Sequence, residues 1–155
     1  MKVSFYILSA DKAQDFLGFI CQLTQTALNK STQPILILIE QEDELLTTLD
    51  EALWDQATSF IPHQRLKDDS EDAAARNDDK IMAPVLLGSY MPADFKGVVL
   101  NTTPHAINTV MAATSNAQPT RILELIKPDS KSMQEGRYKY KVYQQLGYEL
   151  THFNV

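Results

Sequence analysis

Cysteine is nearly missing from this 155-residue chain. With Cys21 alone, no intrachain disulfide can form and no cysteine-based zinc cage can be assembled, and a reducing, cytoplasmic setting fits that usage. Glycine is scarce as well. The five glycines, at 18, 88, 97, 136 and 147, form neither a GxGxxG turn nor a Walker lysine loop. The turn after the first apolar run reads Ser9-Ala10-Asp11-Lys12, with no glycine through which backbone amides could approach a pyrophosphate. Long apolar runs are absent too: the longest, residues 34–39, falls far short of the roughly 20 residues that cross a bilayer. The N-terminus has no basic region followed by a signal core, so no membrane association is expected. Basic charge is the last shortage. A formal net charge of −6 opposes the phosphate backbone, whose neutralisation dominates nucleic-acid affinity, so no strong direct binding of nucleic acid is expected.

The usual catalytic constellations are also missing. His63, His105 and His152 are scattered, and none has a second histidine or a carboxylate at the i+4 helical spacing that suits a metal. No serine sits in a GxSxG elbow, and Cys21 falls on the apolar side of a predicted helix. No catalytic residue, metal or cofactor is therefore expected. The rival reading is a small nucleotide-dependent enzyme with a degenerate phosphate loop, which nucleotide-induced thermal stabilisation would reveal.

What is present is the pattern of one α/β domain, with 44% hydrophobic residues in a chain long enough for a real core. Val3 to Leu8 reads as a strand, followed by a D-x-x-Q capping box at Asp11 and a helix through about Asn29 with Phe16, Ile20, Leu23 and Ala27 on its apolar stripe. Ile35 to Ile39 is apolar on both faces, as a central parallel strand between helices must be. A second helix carries Leu45, Leu46, Leu49 and Leu53 and ends at Trp54. Ser59 to His63 reads as a short strand that either stops at Pro62, which lacks a ladder donor, or lies at a sheet edge, and residues 64–82 read as a mobile loop. Three apolar runs, at 84–87, 97–100 and 121–126, supply further strands, and 105–113 one or two helical turns. A last helix starts near Asp129, with Ser132-Met133-Gln134-Glu135 as a competing capping box, and stops at Gly147, with a final strand over 148–152. The expected fold is a three-layer Rossmann-like α/β domain: a mostly parallel central sheet with helices on both faces and no nucleotide-binding glycine loop.

Against the acidic background, one stretch stands out. Arg137-Tyr138-Lys139-Tyr140-Lys141-Val142-Tyr143 packs three cations and three tyrosines into seven residues. Arg137 and Lys141 are i and i+4 with Tyr140 between them, so two cations and a tyrosine share a helical surface. Two readings fit: the cations complement the helix dipole while the tyrosines pack on the sheet, or the group captures an anionic, partly apolar ligand. Trp54 and Phe60 are likewise either core or exposed anchors.

Three segments in order tip these readings. Asp50-Glu51-Ala52-Leu53-Trp54 with Ser59-Phe60-Ile61-Pro62-His63, then Thr120 to Ile126, then Arg137 to Tyr143 leading into Gly147-Tyr148-Glu149-Leu150, resemble the chi subunit family of bacterial DNA polymerase III holoenzyme. The resemblance implies a non-catalytic accessory subunit in DNA replication. It implies pairing with the psi subunit, and through psi with the clamp-loader complex, on a surface holding Trp54, Phe60 and Pro62; in some bacteria such a surface also serves a repair helicase. It further implies that Arg137 and Lys141 meet carboxylates of the acidic C-terminal tail of single-stranded DNA-binding protein. Tyr140 would border a slot for the tail's terminal aromatic ring, and Lys139 would add longer-range attraction.

Overall fold

Short strands with apolar residues on both faces need helices on both sides, and that requirement sets the architecture. In a computed structural model of the protein, residues 1–30, 33–40, 44–54, 62–66, 84–112 and 117–155 are described, without the side chains of Leu46, Trp54, Gln64 and Thr109. The strands are β1 (Lys2–Ile7), β2 (Ile35–Leu38), β3 (His63–Arg65), β4 (Val85–Gly88), β5 (Val98–Asn101), β6 (Arg121–Ile126) and β7 (Glu149–Asn154). They form one seven-stranded sheet in the order β3-β4-β2-β5-β6-β1-β7, with every pairing parallel. The helices are α1 (Ala10–Gln14), α2 (Phe16–Lys30), α3 (Glu44–Trp54), α4 (Asn108–Ala112) and α5 (Ser130–Gln145). None of the described helices is long and apolar enough to cross a membrane.

Alternation along each strand sorts side chains into two cores. On one face, Ile35, Ile37, Leu87, Leu100 and Leu123 meet Ile20 and Cys21 of α2 and Leu49 and Leu53 of α3. On the other, Val3, Phe5, Leu36, Leu86, Val99 and Ile122 meet Ile107 and Tyr143 of α5. The expected three-layer α/β fold is what the chain adopts, and the sheet is wholly parallel among the described residues.

Boundaries differ from expectation where local polar chemistry decides them. The helix expected to run unbroken from Asp11 is two helices, because Ser9, not Asp11, caps α1, and Asp15 then breaks the ladder at φ −107°, ψ 56°. The Asp15 carboxylate accepts from the Gly18 N–H at 3.2 Å and so serves the start of α2. Gly18 permits this, since a Cβ there would stand 2.3 Å from that carboxylate. Pro62 precedes the edge strand β3 and does not end it, and residues 59–61 lie outside the described residues. Residues 64–66, expected in the loop, belong with the sheet: β3 runs to Arg65, and Leu66 is buried against the glycine face of Gly88. The rest of that loop lies outside the described residues.

Gly97 sits where β5 begins, and a Cβ there would stand 2.2 Å from the Pro34 carbonyl oxygen, which also receives the Val98 N–H. Backbone cannot yield as a side-chain tip can. Gly97→Ala is expected to lower unfolding stability by about 1–3 kcal/mol in denaturant titrations, the usual cost of overpacking. Stability equal to that of the parent would contradict this account of the β2–β5 junction.

Candidate functional site

Helix α5 is fixed at both ends by its own residues. Asp129 caps it, accepting from the Ser132 N–H and hydroxyl, each at 2.8 Å, and those bonds hold the Asp129 carboxyl below the usual carboxylate range. At the far end Gly147 takes φ +78°, the Tyr148 N–H reaches the Tyr143 carbonyl and the Gly147 N–H reaches that of Gln144. This is the Schellman arrangement, and it turns the chain into β7.

Between its ends α5 is locked to the sheet by a buried polar cluster. Glu124 sits in the middle of the apolar strand β6, 0% exposed, and faces the helix. Its carboxylate receives Lys139 Nζ at 2.9 Å on one oxygen, and the Tyr143 hydroxyl at 2.6 Å and Asn101 Nδ2 at 2.9 Å on the other. Lys139 Nζ also donates to the Thr103 carbonyl at 2.6 Å, and the Tyr143 hydroxyl accepts from the Ile107 N–H at 3.0 Å. No buried side-chain polar atom among the described residues lacks a partner. Burial pushes the Glu124 carboxyl above its ordinary value against the pull of Lys139, Tyr143 and Asn101, and burial together with the Glu124 charge raises the Tyr143 phenol.

With Lys139 and Tyr143 turned inward, helical geometry places Arg137 and Lys141 outward, and both are exposed. Neither has an ion-pair partner within 4 Å among the described residues. Beside Arg137 opens an apolar hollow of about 230 Å³. Its floor is Phe5, Ile7 and Ile126; its helix wall is Met133, Arg137 and Tyr140. His152 on β7, directly opposite Phe5 in the strand register, closes the other side. Gly136 keeps the helix wall low, because a Cβ there would stand 2.6 Å from Ile126 Cδ1. Tyr140 leans on Phe5 with ring centroids 5.6 Å apart, a contact worth about 0.5–1.5 kcal/mol, which fixes the rim. An apolar cavity of roughly 150 Å³ can hold benzene, so this hollow has the volume for a phenyl ring.

The structure thus brings Arg137 and Tyr140 together at one hollow and leaves Lys141 one turn away, outside its lining. Lys139, expected to add longer-range attraction, is instead 4% exposed and bound to Glu124, so it serves the interior. Phe5, Met133, Gly136 and His152 are site residues that spacing did not single out; a lone glycine inside a helix was the available signal, since such a residue costs about 1 kcal/mol and needs a packing reason. Of the other proposed surface, Pro62 is exposed, Phe60 lies outside the described residues, and so does the side chain of Trp54. His63 is buried and 2.6 Å from Asp50 of α3, while His105 faces Glu40 at 3.1 Å on the surface. No cluster of three or more metal-ligating side chains occurs among the described residues.

Fold and hollow together define a parallel three-layer α/β protein with a cation-rimmed apolar cleft beside its last helix. A profile of the family described as "DNA polymerase III chi subunit, HolC" matches residues 1–151, and the chain belongs to that family. The DNA polymerase III subunit chi of Pseudomonas aeruginosa is 26% identical over 151 residues, which cover 96% of this chain and 93% of that relative.

Removing Lys139 tests the buried cluster. Lys139→Met is expected to cost about 3–5 kcal/mol of stability at neutral pH, because Glu124 is left buried without its cation. The sign of the pH dependence follows from the pull of Lys139 on the Glu124 carboxyl: without that cation burial pushes the carboxyl higher still than in the parent, so the deficit relative to the parent should shrink as pH falls and Glu124 becomes protonated in both folded proteins. A deficit below 1 kcal/mol, or one independent of pH, would contradict it.

Proposed function

We propose that this chain is a non-catalytic, cytoplasmic accessory subunit that tethers DNA polymerase III to template coated with single-stranded DNA-binding protein. The acidic C-terminal tail of that protein is the ligand of the hollow: its terminal aromatic ring enters between Phe5, Met133 and Tyr140, and its free carboxylate meets Arg137. Lys141 attracts the acidic residues that precede the ring. The observation that carries this reading is the juxtaposition of an uncommitted guanidinium with an apolar hollow of ring size. Family membership supports the replicative setting. A second surface, holding Trp54, Phe60 and Pro62, pairs with the psi subunit and through it with the clamp loader.

Tethering suits such a site. A peptide-sized contact is weak and salt-sensitive alone, and many tails along coated DNA raise the effective concentration of the next one.

Calorimetric titration with the tail peptide tests the first contact. Arg137→Ala is expected to weaken binding roughly tenfold or more, the value of a charge-assisted hydrogen bond, with the fold intact. Lys141→Ala, whose ion pair would be exposed, should cost only about twofold to fivefold. Unchanged affinity in both variants would remove the hollow from consideration. For the second surface, Trp54→Ala is expected to abolish co-purification with psi while tail binding persists, and retention of psi would overturn that assignment.

A further inference from the structure

A chain of net charge −6 places three cations around one groove that has no carboxylate among its described lining residues. The groove, about 340 Å³, lies on the α2 face at the starts of β1 and β6, away from the hollow on the α5 face. Lys2 comes from β1, Lys30 from the last turn of α2 and Arg121 from the first residue of β6. Lys2 and Arg121 are direct partners in the β1–β6 register, so two like charges face each other across adjacent strands, an arrangement that costs stability unless an anion lies between them. None of the three has an ion-pair partner within 4 Å among the described residues. Glu149 stands opposite Lys2 on β7, yet it does not line the groove and forms no ion pair with Lys2. A bond of 2.9 Å from Arg121 Nη2 to Ser4 Oγ holds the guanidinium at the rim.

The polar crevice at the other end of the sheet is a useful contrast. There Lys127 and Lys131 share the lining with Glu40 and Glu135, and the third lysine, Lys139, is already paired with Glu124, so the charges offset one another. The groove at the strand starts has no such balance.

Its second property is aromatic. Tyr6 lines the groove and stacks on Phe153 with centroids 5.4 Å apart at 25°, and Phe153 is 42% exposed on the edge strand β7. A cationic groove running into an exposed aromatic platform is the pairing that single-stranded nucleic acid uses, phosphates on the cations and a base on the ring.

We propose that this groove binds the sugar–phosphate backbone of single-stranded nucleic acid, with Lys2, Lys30 and Arg121 on phosphates and the Phe153–Tyr6 pair beneath a base. The overall negative charge keeps the contact weak in isolation, and it gains effect when the chain is already held beside DNA. The assignment does not depend on the tail site.

The test is fluorescence anisotropy of a labelled oligothymidylate of about 15 nucleotides with the full chain. Three phosphate contacts on a single strand imply a log–log salt slope of about −2, so affinity should fall roughly 100-fold between about 20 and 200 mM salt. Lys30→Glu and Arg121→Glu should each weaken binding at least about tenfold and flatten the slope, whereas Phe153→Ala should weaken it several-fold and leave the slope unchanged. Thermal unfolding checks each variant; Lys30 is at a helix end, so Lys30→Glu decides alone if Arg121→Glu does not fold. The proposal is overturned if no binding occurs at about 20 mM salt, if Lys30→Glu and Phe153→Ala have no effect, or if Arg137→Ala is the variant that abolishes binding. Equal competition by polyglutamate would also overturn it, reassigning the groove to acidic peptide.

Discussion

The ion pair between Glu124 and Lys139 sets the rotation of α5 about its own axis, and the exposed chemistry of the helix follows from that rotation. A carboxylate at 0% exposure needs every lone pair answered, and here a lysine, a tyrosine and an asparagine do so together. Two of those partners, Lys139 and Tyr143, are i and i+4 on α5, so both can face Glu124 in only one helical orientation. Arg137, Tyr138 and Lys141 are thereby turned out, and Tyr138 reaches 60% exposure. Such a pair adds little net stability over a well-packed apolar alternative, but it penalises a helix rotated or slipped by one residue. Its contribution here is to register.

Much of this fold was legible in the residues. The run at 35–39 reads as a strand because it is apolar on both faces, those at 84–87, 97–100 and 121–126 because they are short apolar runs, and of the two capping boxes offered for α5 the one at Asp129 is used, with Gly147 at its other end. The break at Asp15 was not legible, because a carboxylate that caps the next helix looks like any polar residue on an amphipathic stripe. The start of the loop after β3 is hidden for a similar reason: Gln64 and Arg65 are polar, but they lie on an edge strand, where polar side chains are tolerated.

The site was half legible. Arg137 and Tyr140 followed from helical spacing together with the family resemblance, yet the same spacing grouped with them Lys141, which stands outside the lining, and could not tell an outward lysine from an inward one. The clue to Lys139 lay elsewhere, in Glu124 standing inside the strand Arg121-Ile122-Leu123-Glu124-Leu125-Ile126. An acid within a strand buried on both faces requires a cation or strong donors from the covering helix. The floor of the hollow depends on β1 lying between β6 and β7, a pairing that no local pattern announces. The same strand serves both faces of the molecule: Phe5 and Ile7 floor the hollow, while Lys2 and Tyr6 line the cationic groove.

The central claim is that a phenyl ring enters the hollow beside Arg137. The most direct measurement is a methyl spectrum of the chain carrying 13C-methyl methionine, titrated with an acidic peptide ending in phenylalanine and with the same peptide ending in alanine. The ring current of an entering phenyl group should move the Met133 methyl strongly, and the alanine-ended peptide should leave it nearly in place. A Met133 resonance that stays fixed at saturation by the phenylalanine-ended peptide, while that of Met91 or Met111 moves, would contradict the account.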